Sequence, residues 1–247
     1  MAWLLDLDGV VWLSGRAIAG SVEAVARLRA GGERVVFVTN FSGPTLAQHE
    51  GRLAAIGIDA GGDVVTSAMA AARLVDPGAR VWCLAGPGVA EAVAAWGAEG
   101  VTAPPADAVM VGLTEAFDYA SLRDAATAVR AGARLIGAND DPTMPTPDGE
   151  VPGAGSLLAA VAVASGVDAV VAGKPHQPMA DAVLELVGTG PHVMVGDRWS
   201  TDGLFAERLG ARFGLVLSGV TAASDVPAGV EPAMVAPDLV TLVDRLL

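Results

Sequence analysis

Short apolar runs, each ending near Gly, Asp, Thr or Pro, recur along this chain and alternate with longer Ala-rich segments. Ala2-Trp3-Leu4-Leu5 is the first and Arg34-Val35-Val36-Phe37-Val38 the second. Val64-Val65, Arg80-Val81-Trp82-Cys83-Leu84, Val109-Met110-Val111 and Arg134-Leu135-Ile136 come next, followed by Ala169-Val170-Val171, Val193-Met194-Val195 and Phe213 to Leu217. Runs that are apolar at successive positions predict strands buried on both faces. Between them a helix is predicted from Ser21, as its cap, to about Arg29, with Val22, Val25, Ala26 and Leu28 on its apolar side. Further helices are predicted from Gly43-Pro44 to about Ala55, after Thr66-Ser67, after Gly86-Pro87-Gly88, over Tyr119 to Arg130, over Ser156 to Ala164 and over Pro237 to Leu247. This alternation predicts parallel α/β layers.

The stretch from Asp140 to Gly155, rich in Asp, Pro, Thr and Gly, breaks the pattern. It is read as the return from a small inserted domain to the main one. The expected division is residues 1–75 for the first part of the main domain, 76–165 for the insertion and 166–247 for the second part.

Composition narrows the partners. No apolar run reaches the ~20 residues that cross a bilayer, and no basic region precedes the first apolar segment, so neither membrane insertion nor a secretory signal is expected. Cys83 is alone, which gives no intrachain disulfide and no Cys-rich zinc motif, and a cytoplasmic setting is expected. The formal charge of -13 and pI near 4.5 oppose nucleic-acid polymers and acidic membranes. They do not oppose a small phosphorylated molecule, because a bound cation and a few oriented donors make a local anion site.

Two features point to such chemistry. Asp6 and Asp8 stand two apart where the first strand runs into Gly9. Lys174 is the only lysine, the other fourteen basic residues being arginine, and it sits in Gly173-Lys174-Pro175 before another predicted helix. Thr39-Asn40 and Gly196-Asp197 also follow apolar strands, and ligands of open parallel sheets gather at the carboxyl ends of strands. Mutual repulsion makes a hard cation a natural partner for Asp6 and Asp8, with Asp197 completing the oxygen set. One carboxylate can then attack a phosphoryl group while the other handles a proton. Thr39 offers a hydroxyl to a phosphate oxygen, Asn40 can orient substrate or aspartates, and Lys174 can neutralise phosphate. Taken singly, Asp-x-Asp is a strand end, Thr-Asn is ordinary turn chemistry and a lysine is surface charge. Their shared position after strands carries the functional reading.

The constellation resembles the haloacid dehalogenase superfamily of phosphatases. Asp6-Leu7-Asp8-Gly9-Val10 matches its first motif, Thr39-Asn40 its second, Lys174 its third, and Gly196-Asp197 with Thr201-Asp202 its fourth. The resemblance implies an α/β fold: a Rossmann-like core with a parallel sheet plus an inserted α/β cap of type C2. It implies that Asp6 forms an aspartyl-phosphate and that Asp8 acts as general acid, then general base. The implied Mg2+ ligands are Asp6, Asp197 and the Asp8 main-chain carbonyl, with Asp202 supporting the metal. About 30 residues separate Asp8 from Asn40 and about 130 separate Asn40 from Lys174, which places the cap in the second interval. That spacing is similar to subclass IIA, the p-nitrophenylphosphatase and phosphoglycolate phosphatase branch. Ala138 to Pro147 and Pro152-Gly153-Ala154-Gly155-Ser156 resemble that branch too.

Three positions depart from the branch's pattern: Phe41 replaces a second asparagine, Asp140 a proline, and Gly203 an aliphatic residue. Trp199, Asp118 and Tyr119 are candidates for substrate or cap contacts, with helix capping the plain alternative for Asp118. The expected activity is Mg2+-dependent hydrolysis of a small phosphorylated metabolite, with homodimerisation through the cap left open. The rival readings are a catalytically weak or inactive phosphometabolite-binding protein and a phosphomutase.

Overall fold

The computed structural model describes residues 1–13, 15–146 and 149–247. Pro147, which ends the Ala138 to Pro147 stretch, lies outside the described residues. The chain forms two compact units. The first comprises residues 1–39, 49–65 and 183–247, the second residues 40–48 and 66–182.

The first unit is built on a six-stranded sheet whose middle strands are the earliest and among the latest in sequence. Ala2–Leu5 lies between Arg34–Thr39 and His192–Gly196, all three parallel, with Leu5 opposite Phe37 on one side and Val195 on the other. Arg212–Val216 and Val235–Ala236 extend the sheet beyond His192–Gly196, and Val64–Thr66 extends it beyond Arg34–Thr39. All four residues of Ala2–Leu5 and all five of His192–Gly196 are buried, as strands covered on both faces should be. The Ser21–Ala30 and Leu239–Leu246 helices pack together, the latter capped by the Asp238 carboxylate on the Thr241 N–H at 2.9 Å.

Ser21 is not the cap that the sequence suggested. Gly20, left-handed at φ 79°, occupies that position, and the Ser21 hydroxyl donates to the Val11 carbonyl at 2.7 Å. The next helix begins at Leu46 rather than at Pro44, because Thr45 and Gln48 cap it reciprocally at 2.9 and 3.2 Å.

The second unit holds a five-stranded parallel sheet in the order Val170–Val171, Arg134–Gly137, Ala108–Val111, Arg80–Leu84, Glu99–Val101. Its core joins Val109, Val111 and Leu135 to Ala125 and Val129 of the Tyr119–Arg130 helix and to Leu158 and Val161 of the Ala154–Ser165 helix. Val170–Val171, expected beyond the insertion, pairs within this sheet. An antiparallel hairpin, Thr143–Thr146 with Gly149–Pro152, occupies the break that the sequence presents as irregular. Gly153 and Gly155 follow it because their backbones run against the Asp141 and Asp140 carbonyls; a Cβ at either would lie 2.4 or 2.3 Å from one of those oxygens. Among the described residues no helix is long and apolar enough to cross a membrane.

Candidate active site

The middle of the first unit's sheet determines where its acids meet. Ala2–Leu5 ends one residue before Asp6, whose N–H donates to the Val195 carbonyl at 2.9 Å and so continues the ladder by one step. Its neighbour His192–Gly196 ends one residue before Asp197. Thr39, 2% exposed, terminates the strand on the other side. Asp6, Asp197 and Thr39 thus stand along one carboxyl edge, the ligand-bearing edge of an open parallel sheet.

Asp202 reaches this edge from a five-residue π-helical turn, Trp199–Gly203, which leads into the Leu204–Leu209 helix. Such turns occur frequently at functional sites. One carboxylate oxygen from each of Asp6, Asp197 and Asp202 lies within 4.8 Å of the other two. Asp197 and Asp202 are 5% and 1% exposed, so two acids are gathered out of water beside a third. Buried carboxylates in this arrangement need positive charge or donors. Some donors are present: the Val220 N–H binds Asp197 Oδ2 at 2.7 Å, and the Arg198 N–H binds Asp202 Oδ2 at 3.3 Å. An all-oxygen set of this kind fits a hard divalent cation such as Mg2+.

Space around Asp197 is reserved by glycine. A Cβ on Gly9, which has φ +83°, would come 2.5 Å from Asp197 Oδ2, and one on Gly219 would come 2.0 Å from it. The Gly203 departure has a similar physical reason. A Cβ there would lie 2.4 Å from the Trp199 ring, which also meets Phe213 edge-on with centroids 5.7 Å apart. Trp199, proposed from sequence to face substrate or cap, therefore packs on its own turn and on the neighbouring strand.

Asp8 lies two residues beyond Asp6 in a tight turn. The Leu7 carbonyl accepts the N–H groups of Val11 at 2.9 Å and Trp12 at 3.1 Å, and the Gly9 N–H returns to the Trp12 carbonyl at 2.7 Å. The Trp12 indole N–H donates to Asp8 Oδ1 at 3.1 Å. Sequence reasoning passed over Trp12, because a buried tryptophan after a strand reads as core.

The remaining candidates belong to the second unit. Asn40 Oδ1 accepts the Lys174 N–H at 2.8 Å, and Asn40 Nδ2 donates to the Lys174 carbonyl at 3.0 Å and to Asp141 Oδ2 at 2.9 Å. The Asn40 carbonyl receives Asn139 Nδ2 at 2.6 Å and the Ser67 hydroxyl at 2.8 Å. Lys174 is 2% exposed, which removes it from the ordinary population of surface lysines. Gly173 must be glycine here, since a Cβ would stand 2.6 Å from Asn40 Oδ1.

The Asp140 departure is paired: its Oδ2 lies 2.9 Å from His176 Nε2, and this hydrogen bond holds the Asp140 carboxyl below the usual carboxylate range. Asp118 caps the Tyr119–Arg130 helix in a reciprocal box with Ser121, whose bonds lower its pKa. The plain alternative for Asp118 is thus what its bonds show, and Tyr119 beside it is 80% exposed. Cys83 is pushed up to about 11 by burial.

Fold and site together define a Rossmann-like α/β protein with three clustered acids at its sheet's carboxyl edge, a set suited to a cation. Comparison with known proteins agrees. The profile for haloacid dehalogenase-like hydrolases matches residues 3–99, and a second hydrolase profile of that type matches residues 171–242. D-glycerol 3-phosphate phosphatase of Mycobacterium tuberculosis is 39% identical, over 90% of this chain and 64% of its own length, so this chain spans less than two thirds of that relative. Human chronophin is 39% identical, over 91% of this chain and 83% of its own. The glycerol phosphate phosphatase of Mycobacterium tuberculosis solved with magnesium superimposes with a TM-score of 0.89 at 36% identity, over 98% of this chain and 76% of that one. The chain belongs to the haloacid dehalogenase-like hydrolases, in their subclass IIA phosphatase branch.

Proposed function

We propose that this chain hydrolyses small phosphomonoesters with Mg2+, through an aspartyl-phosphate on Asp6. The observation that carries the reading is the gathering of Asp6, Asp197 and Asp202 at one sheet edge, with Asp8 two residues further on. Asp6, Asp197 and the Asp8 main-chain carbonyl would hold the cation, with Asp202 beside them. When bound, Mg2+ supplies positive charge to the phosphoryl oxygens and to the attacking carboxylate.

The chain's own groups divide the work. Asp6 attacks phosphorus, and Asp8 gives a proton to the departing alkoxide. Asp8 then takes a proton from water as the water attacks the acyl-phosphate, releasing inorganic phosphate and restoring Asp6. Two displacements with a carboxylate intermediate replace a single difficult hydrolysis. Thr39 offers its hydroxyl and N–H to phosphate oxygens, Lys174 neutralises charge, and Asn40 fixes the main chain of Lys174. In this reading the six-stranded sheet belongs to the catalytic core, the cap begins near residue 76, and the enzyme works in the cytoplasm. Because Val170–Val171 pairs in the five-stranded sheet, the cap runs past residue 165 to at least Val171. The relatives named for glycerol phosphate support a phosphorylated small alcohol as substrate.

The test is phosphate release from a panel of alkyl, sugar, carboxylic-acid and nucleotide monophosphates, with and without Mg2+. Asp6→Asn should abolish release while leaving the circular dichroism unchanged. Retained turnover in that variant sinks the assignment. Binding of phosphate esters without turnover in the wild-type chain would favour the phosphometabolite-binding reading, and phosphate moved within a sugar would favour the mutase.

A further inference from the structure

We propose that Trp12 is a positioning residue for Asp8, an inference that rests on the proton role assigned to Asp8 above. Its indole N–H donates to Asp8 Oδ1 at 3.1 Å, and the residue is 2% exposed. An indole carries one donor and no acceptor, so the bond always presents a proton to the carboxylate. A carboxylate turns on two single-bond torsions, and a bond that helps fix them in advance lowers the cost of ordering the group for proton transfer.

The surrounding backbone makes the tether stiff. Leu7 and Gly9 close the turn on Trp12 through the bonds at 3.1 and 2.7 Å, and Asp8 and Trp12 bridge directly. Trp12 then pairs with Ala17 in the Trp12–Leu13 and Arg16–Ala17 hairpin, while the preceding residue's carbonyl receives the Ser21 hydroxyl. The indole therefore extends from an anchored main chain, and its bond transmits that rigidity to the Asp8 side chain. Packing alone would be met by phenylalanine. The N–H is the part that packing does not explain.

Leaving-group dependence separates the two roles. Proton donation matters for an alkoxide and little for 4-nitrophenolate, which departs unprotonated. The ratio kcat/KM reports steps through phosphoryl transfer to Asp6 and ignores later hydrolysis. It is to be measured with saturating Mg2+ on glycerol phosphate and 4-nitrophenyl phosphate, for wild type, Trp12→Phe and Asp8→Asn. A further variant carries the benzothienyl analogue of tryptophan at position 12, which keeps the bicyclic shape without the N–H and stands in if Trp12→Phe does not fold. Loss of the N–H should lower kcat/KM on the alkyl ester by on the order of ten-fold, and on the aryl ester by less than about three-fold, as part of a general-acid contribution. Equal losses on the two esters, or no loss with the analogue, overturn the tether while a selective loss in Asp8→Asn keeps the acid role standing. A non-selective loss in Asp8→Asn overturns both.

Discussion

Asn40 grips the main chain of Lys174 from both sides, accepting its N–H at 2.8 Å and donating to its carbonyl at 3.0 Å. A side-chain amide is the group that can do both at once, which explains an asparagine at this position better than direct phosphate contact does. Asn40→Ala should lower stability by about 2 kcal/mol, since three hydrogen bonds of Asn40 Oδ1 and Nδ2 go together. Activity should fall on the order of ten-fold or more, because Lys174 is intact but no longer held. Asn40→Asp should be worse, as an oxygen would then face the Lys174 carbonyl and the Asp141 carboxylate. Urea denaturation and phosphate release measure the two effects; a wild-type midpoint in both variants refutes the clamp.

Gly203 and Trp199 form a second matched pair. Gly203→Ala would push a methyl group into the Trp199 ring, 2.4 Å away, at a cost of roughly 1–3 kcal/mol from overpacking. In the Trp199→Leu background the same change should cost clearly less, so a double-mutant cycle should give a coupling energy well above experimental error. Additive effects would mean that the ring does not set the glycine.

Cation dependence follows from the acidic cluster. Chelation should stop phosphate release and added Mg2+ should restore it. Asp197→Asn and Asp202→Asn should each weaken cation binding, read by calorimetric Mg2+ titration, and reduce turnover at least about a hundred-fold for Asp197. Unchanged Mg2+ affinity in both variants would move the site elsewhere.

The Asp140–His176 contact makes a pH prediction with a definite sign. The Asp140 carboxyl titrates lower in the folded chain than its usual value near 3.9. Its stabilisation is therefore fully present above that value and is lost as pH falls through the depressed folded value. Both side chains are partly exposed, 45% and 34%, so the amount is small, under about 1 kcal/mol. Asp140→Asn should remove a little stability at pH 6, and that deficit should shrink as pH falls through the depressed folded value. A larger deficit at the acid end would contradict the assignment.

Burial of Cys83 predicts slow alkylation. With its thiol pushed up to about 11 from 9.0, the thiolate fraction near pH 8 is about a hundred-fold below that of an unperturbed thiol. Iodoacetamide labelling of the native and the denatured chain measures this directly; equal rates would refute it.

Strands such as Ala2–Leu5 and His192–Gly196 were readable because both faces are buried, leaving apolar runs too short for helices and bounded by turn residues. The acids were readable for a related reason: each stands where such a run stops. The Thr143–Thr146 and Gly149–Pro152 hairpin was not, because Pro145 and Pro152 argue against strands and its second strand is exposed throughout. Thr45 carried a visible signal, a Thr with Gln three residues on, that was overlooked in favour of Pro44. Trp12 gave none, since its bond to Asp8 exists only once the Leu7 turn has closed. Asp140 and His176, 36 positions apart, became a pair only through the fold.

The two glycines that flank Asp197 carry an evolutionary consequence. Positions 9 and 219 are far apart in the chain, yet each leaves vacant the volume that one carboxylate occupies. A single alanine at either would displace that oxygen without altering any acid, lysine or threonine. A descendant with the change at position 219 would retain every signature by which this lineage is recognised while losing the seat of that carboxylate.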